Sequence, residues 1–191
     1  MRWNAATTAN SEPVSVDLVK SHLRISTTSE DELLAVYIAA ARRHAEQKAG
    51  VLYAPATVTV TLPEFPAGGG ALLLPVGPYS SLTSFQYYAS GEDTLTTVSA
   101  SDYRVISTDT LHPRLELVSG AAWPAVEPRS DAVKIIYSAG YTSGTIPADA
   151  KNWILMATGR LYDNREAASD VTVFTPQFVD GLLDSSTDPL F

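Results

Sequence analysis

The sequence predicts an α+β fold, with helices at both ends of a domain and a small antiparallel β region between them. Three observations carry this. Apolar residues recur at three- and four-residue spacing over 30–49 and again over 147–165. Between these stretches, short segments alternate apolar and polar residues. Proline- and glycine-rich runs separate those segments.

The first helix is expected after Ser15, a side chain suited to capping. Asp17 lies in its first turn, and Leu18, Val19 and Leu23 form its apolar face. The second helix, 30–49, is the clearest element. Ser29 and Glu32 have the spacing of a capping box. Leu33, Leu34, Tyr37, Ile38, Ala41 and Ala45 form one stripe, and Gly50 is a suitable stop. At 1.5 Å per residue it would be about 30 Å long. Its alanines permit close approach by another helix.

Strands follow. Val58, Val60 and Leu62 alternate with threonines. Leu72–Leu74, Leu82–Tyr88, Tyr103–Ile106 and Arg114–Leu117 are further short strands, and Ala132–Tyr137 is the strongest, β-branched and ending on an aromatic residue. Gly68, Gly69 and Gly70 read as a hairpin tip. Pro147 suits the first turn of a third helix, whose face is Ala150, Trp153, Ile154, Ala157 and Leu161. Gly159 inside it costs about 1 kcal/mol of helix propensity relative to Ala, which marks a tight contact with a neighbouring helix. Residues 1–12 read as a flexible arm. Residues 167–191 read as an extended tail with one marginal helical segment over 176–183. Phe178, Leu182 and Leu183 share one side of that segment. It either docks on a partner or packs on its own domain.

Composition excludes several functions. With 45% hydrophobic and 18% charged residues the chain has globular values, not those of a disordered protein. A net charge of −8 argues against a protein that clamps nucleic acid with its whole surface. Zero cysteines exclude disulfides, thiolate nucleophiles and cysteine zinc sites. No apolar run reaches the roughly 20 residues needed to span a bilayer, and Met1–Thr8 lacks the apolar core of a signal peptide. A soluble protein used inside a cell is expected.

Catalytic signals are missing. His22, His44 and His112 form no metal-binding pair, no Gly-x-Ser-x-Gly turn occurs, and the glycines at 68–70 lack the Lys-Ser/Thr of a phosphate loop. No cofactor and no enzymatic activity are expected. Arg42 and Arg43 read either as a solvated helix face or as contacts to DNA or a partner subunit. Trp123, before Pro124, reads as a core plug or an interface anchor. Tyr87, Tyr88 and Tyr141 have no basic residues interleaved, which favours sheet packing or an oligomer interface over base stacking.

Taken in order, several segments form a recognisable set: Val16–Ile25, Ser29–Gly50, Leu74–Ser84, Ser101–Val105, Trp123–Pro124, Val133–Tyr141 and Leu161–Glu166. This set resembles the head–tail connector (adaptor, or head-completion) proteins of long-tailed bacteriophages and gene transfer agents. The middle is longer and more β-rich than in a minimal all-helical connector. The resemblance implies a predominantly helical connector core, made of two N-terminal helices plus the helix near 147–165. It implies a connector domain over 13–166 and a partner-docking tail over 167–191. It further implies a structural virion protein, one of about twelve copies in a ring below the portal protein. That ring would join capsid to tail through a tail-side connector or tail terminator protein. DNA would pass through its lumen without specific binding, and no membrane would be involved. The expected place is the head–tail interface of the virion, reached from the host cytoplasm during assembly. Phe178, Val179, Leu182, Leu183 and Phe191 are then the portal-docking residues. Arg42, Arg43, Trp123, Arg160 and Arg165 are subunit-interface candidates. The alternative expectation is a non-enzymatic β-rich binding or accessory module of a phage tail or capsid.

Overall fold

A computed structural model describes residues 1–7, 12–142, 144–164 and 181–183. Eight strands and three α-helices are present among them: β1 (Arg2–Thr7), α1 (Val16–Leu23), α2 (Asp31–Ala49), β2 (Ala56–Leu62), β3 (Leu72–Leu73), β4 (Tyr79–Tyr88), β5 (Leu95–Thr97), β6 (Tyr103–Ile106), β7 (Arg114–Leu117), β8 (Val133–Ala139) and α3 (Ala148–Asp163). The chain divides into two compact units, Met1–Thr8 with Pro55–Gly140 and Ala9–Ala54 with Tyr141–Phe191. All eight strands fall in the first, with a short 3-10 helix at Ala67–Gly69, and all three α-helices in the second.

The β unit contains a five-stranded antiparallel sheet in the order β1-β2-β8-β4-β5 and a three-stranded one in the order β3-β7-β6. The sequence pattern explains the centre of the larger sheet. Both β2 and β8 bury every second residue, and the register sets Val58 opposite Tyr137 and Val60 opposite Ile135. All four are fully buried, so this register keeps both apolar sets on one face. The Tyr137 hydroxyl is satisfied within this core: it donates to the Val76 carbonyl at 2.8 Å and accepts from the Val76 N–H at 3.3 Å. Gly77 lies against backbone, where a Cβ would stand 2.5 Å from the Thr110 carbonyl oxygen.

In the helical unit, Leu34, Ile38, Ala41 and Ala45 of α2 are buried, as are Ala150, Trp153 and Ile154 of α3. His44 of α2 stacks on Trp153 of α3 with ring centroids 5.6 Å apart. Gly159 meets α1: a Cβ there would stand 3.0 Å from Leu23 Cδ2, the tight helix contact its position in the sequence predicts. Gly50 ends α2 in the left-handed region at φ 71°. No described helix is long and apolar enough to cross a membrane.

Four expectations require correction. The α+β class stands, but the predominantly helical core does not, because strand residues are as numerous as helical ones among the described residues. Six residues of the supposed flexible arm, Arg2–Thr7, pair along β2 as β1. An edge strand needs only backbone groups from its neighbour, so its side chains, Arg-Trp-Asn-Ala-Ala-Thr, need not alternate apolar and polar. The capping box does not form: Glu30, not Ser29, precedes α2, without a side-chain cap bond, and Ser29 is 3.2 Å from Thr27 through their hydroxyls. Glu30 instead accepts a 2.6 Å hydrogen bond from the Tyr162 hydroxyl. Finally, α3 ends at Asp163, two residues before the expected limit.

Candidate functional site

The described residues hold no group of three or more His, Asp or Glu side chains arranged to bind a metal ion. The features to weigh are therefore surfaces and the networks that shape them.

The strongest polar network is in the helical unit. Arg42 is only 3% exposed. Its guanidinium bonds Glu12 at 2.7 and 3.2 Å and Glu46 at 2.7 Å. The second Glu46 oxygen accepts the backbone N–H groups of Tyr53, at 2.9 Å, and Ala54, at 3.3 Å. Burial pushes the Glu46 carboxyl above its ordinary value, opposed by Arg42 and by these two N–H groups. For Arg42, burial acts to lower the value, but the Glu12 hydrogen bond and both carboxylate charges outweigh it and hold the guanidinium charged. The network fixes residues 53–54, where the chain leaves the helical unit. Tyr141, where it returns, donates its N–H to the Leu52 carbonyl at 3.1 Å and stacks on Tyr53 with centroids 6.0 Å apart. Arg42 is thus committed to its own chain, contrary to its place among the subunit-interface candidates.

The other candidates divide. Arg43 and Arg160 are exposed, on α2 and α3 respectively. Trp123 in the β unit is half-buried. It stacks on Phe65 at 5.0 Å with planes 3° apart and donates its indole N–H to the Gly70 carbonyl at 3.0 Å. Phe85 meets both rings edge-on, at 5.9 and 6.0 Å. These aromatics back an open cleft of about 470 Å³ whose lining includes Glu64, Pro66, Trp123 and Pro124. Trp123 serves as both packing residue and cleft wall. Of the tail, Leu182 is half-buried and Leu183 fully buried, so Leu183 is not available as a free docking side chain. Phe178, Val179, Phe191 and Arg165 lie outside the described residues.

The large exposed apolar side chains are Met1, Trp3 on β1, Leu18 on α1, Val36 on α2, Leu73 on β3 and Leu161 on α3, so Leu18 and Leu161 do not belong to the buried faces expected of their helices. Val36 carries a usable signal, since it falls outside the apolar stripe of α2. Trp3 carries none without the knowledge that β1 is a strand.

Comparison with known proteins bears on what these surfaces are for. Residues 13–65, covering α1, α2 and β2, match the family described as Phage gp6-like head-tail connector protein. No curated protein is significantly similar in sequence. Chains of similar fold occur in solved assemblies, among them three of gene transfer agent particles. One, the neck of an empty gene transfer agent particle computed with C6 symmetry, has a chain 22% identical with a TM-score of 0.78, covering 98% of this chain and 95% of that one. The fold is that of a gene transfer agent neck chain. A chain in the virion of the native particle is 23% identical at a TM-score of 0.77, with the same 98% and 95% coverage. One in the native neck computed with C12 symmetry is 22% identical at 0.75, again over 98% and 95%. The match to the connector family thus covers residues 13–65, and the likeness of fold to these chains covers nearly the whole chain.

Proposed function

We propose that this chain is a structural, non-enzymatic head–tail connector. Copies form a closed ring below the portal, extend the DNA channel and join capsid to tail. The observation that carries this reading is the connector-family match over α1, α2 and β2 within a fold shared along its length with gene transfer agent neck chains. The C6 and C12 symmetries of those necks favour head-to-tail neighbour contacts that close, with about twelve copies. A net charge of −8 suits a lumen past which DNA slides without sticking.

In this reading Arg43 and Arg160 meet acidic groups of neighbouring copies, and Trp123 presents its cleft to a neighbour. Arg165 belongs to the same candidate set. Phe178, Val179, Leu182 and Phe191 dock on the portal, with a tail-side connector or tail terminator on the opposite side. The protein assembles in the host cytoplasm and resides at the head–tail interface of the virion. The test is to mix the full chain with the portal ring of the same particle and weigh the product by native mass spectrometry. A complex with about one copy per portal subunit is expected. An intact portal and a folded chain that fail to associate would overturn the portal-facing role and favour an accessory module of the tail or capsid.

A further inference from the structure

Strand β1 is held in an unusual way. Its six residues run in continuous register against β2, from Arg2 opposite Thr61 to Thr7 opposite Ala56. Yet Arg2, Trp3, Asn4 and Ala6 are exposed, and Ala5 is only half-buried. None of these five side chains is fully buried, so the backbone ladder carries much of the strand's attachment. It is an edge strand, with β2 on one side only. It also belongs to the β unit although the chain passes next into the helical unit and returns only at Pro55. Trp3 lies opposite Val60, on the face that β2 buries, but is itself 45% exposed. A large aromatic at the rim of a buried face, with nearly half its surface uncovered, is a side chain short of a neighbour.

A backbone ladder does not distinguish the β1 of its own chain from the β1 of an identical chain. The segment that β2 accepts best is therefore already specified: the same six residues supplied by a second copy. We propose that β1 is an exchanged strand, pairing in the assembled ring with β2 of a neighbouring copy and seating Trp3 at that junction. This rests on the ring-forming reading above and adds the surface through which neighbours grip one another. Exchange of one identical element between successive copies is a low-cost, head-to-tail contact, and it closes when the ring closes.

The absence of cysteine makes the test clean. Ala6 and Thr57 are directly opposed and both exposed. Opposed residues of antiparallel strands are about 4.5–5.5 Å apart at Cα, within disulfide range. The double variant Ala6→Cys/Thr57→Cys is assembled as the full chain, alone or on the portal ring, and the assembly is confirmed by native mass. It is then mildly oxidised and run on a denaturing, non-reducing gel. Strand exchange predicts covalent multimers in a ladder. A ring whose chains run singly after oxidation, with no free thiol, overturns strand exchange while leaving the connector reading intact. A ring in which both thiols stay free also overturns it, because β1 would then pair with no β2. Failure to form any ring, with or without portal, overturns both readings.

Discussion

The Tyr137 hydroxyl lies between the N–H and the carbonyl of Val76 and bonds both. Tyr137→Phe leaves both backbone groups buried without that partner. It should cost about 1–3 kcal/mol of unfolding free energy, measured by urea denaturation. Burial also raises the Tyr137 hydroxyl well above the ordinary tyrosine value, against the opposing Val76 bond. The folded chain then keeps a proton that the unfolded chain releases above about pH 10. Stability must fall as pH rises through that region. The Phe variant should release about one proton fewer on unfolding at pH 11, as read from the pH dependence of its stability. Arg42 gives a second prediction at this scale. Arg42→Met leaves Glu46 and Glu12 without their cation, and loss of one partner of a buried pair costs about 3–5 kcal/mol. Arg43→Ala, on an exposed position one residue away, should change stability by less than about 0.5 kcal/mol. If the interface proposal is right, the Arg43 variant loses ring mass in native mass spectrometry while its melting curve stays unchanged.

Elements were legible where side-chain burial is periodic. Strands β2 and β8, whose alternate residues are buried, follow the apolar alternation of the sequence, and the expected face of α2 matches Leu34, Ile38, Ala41 and Ala45. Edge strands with little periodic burial are not legible: β1 lies in residues that present as an arm, and β5, three residues long, carries no pattern. The division into two units was equally hidden. The chain crosses between them at 8–9, 54–55 and 140–141, and tertiary contacts rather than composition define the boundaries. Of the candidate site, exposed cations and aromatics could be named from sequence, but not their partners. Glu12, in the supposed arm, gave no sign of meeting Arg42 across 30 residues. Gly159 is a reading from sequence that packing explains, and it supports a prediction. Gly159→Ala gains helix propensity of about 1 kcal/mol but moves the Leu23 methyl, so it should be near neutral. Gly159→Leu forces α1 from α3 and should destabilise by about 1–3 kcal/mol, seen as a lower melting temperature.

At the scale of the whole molecule, helices and strands segregate into separate units, and the connector-family match begins in one and ends in the other. The full burial of Leu183 constrains any test of the tail, because removing that side chain opens a cavity. Removing residues 184–191 keeps Leu183. The account predicts an unchanged melting temperature and weaker portal binding for that variant, measured by co-sedimentation. The most direct measurement concerns the particle itself. Particles produced with this chain deleted, and with it restored, can be counted by electron microscopy. A connector predicts DNA-filled heads and separate tails in its absence, and joined particles on restoration. Normally tailed particles without the chain would contradict the account.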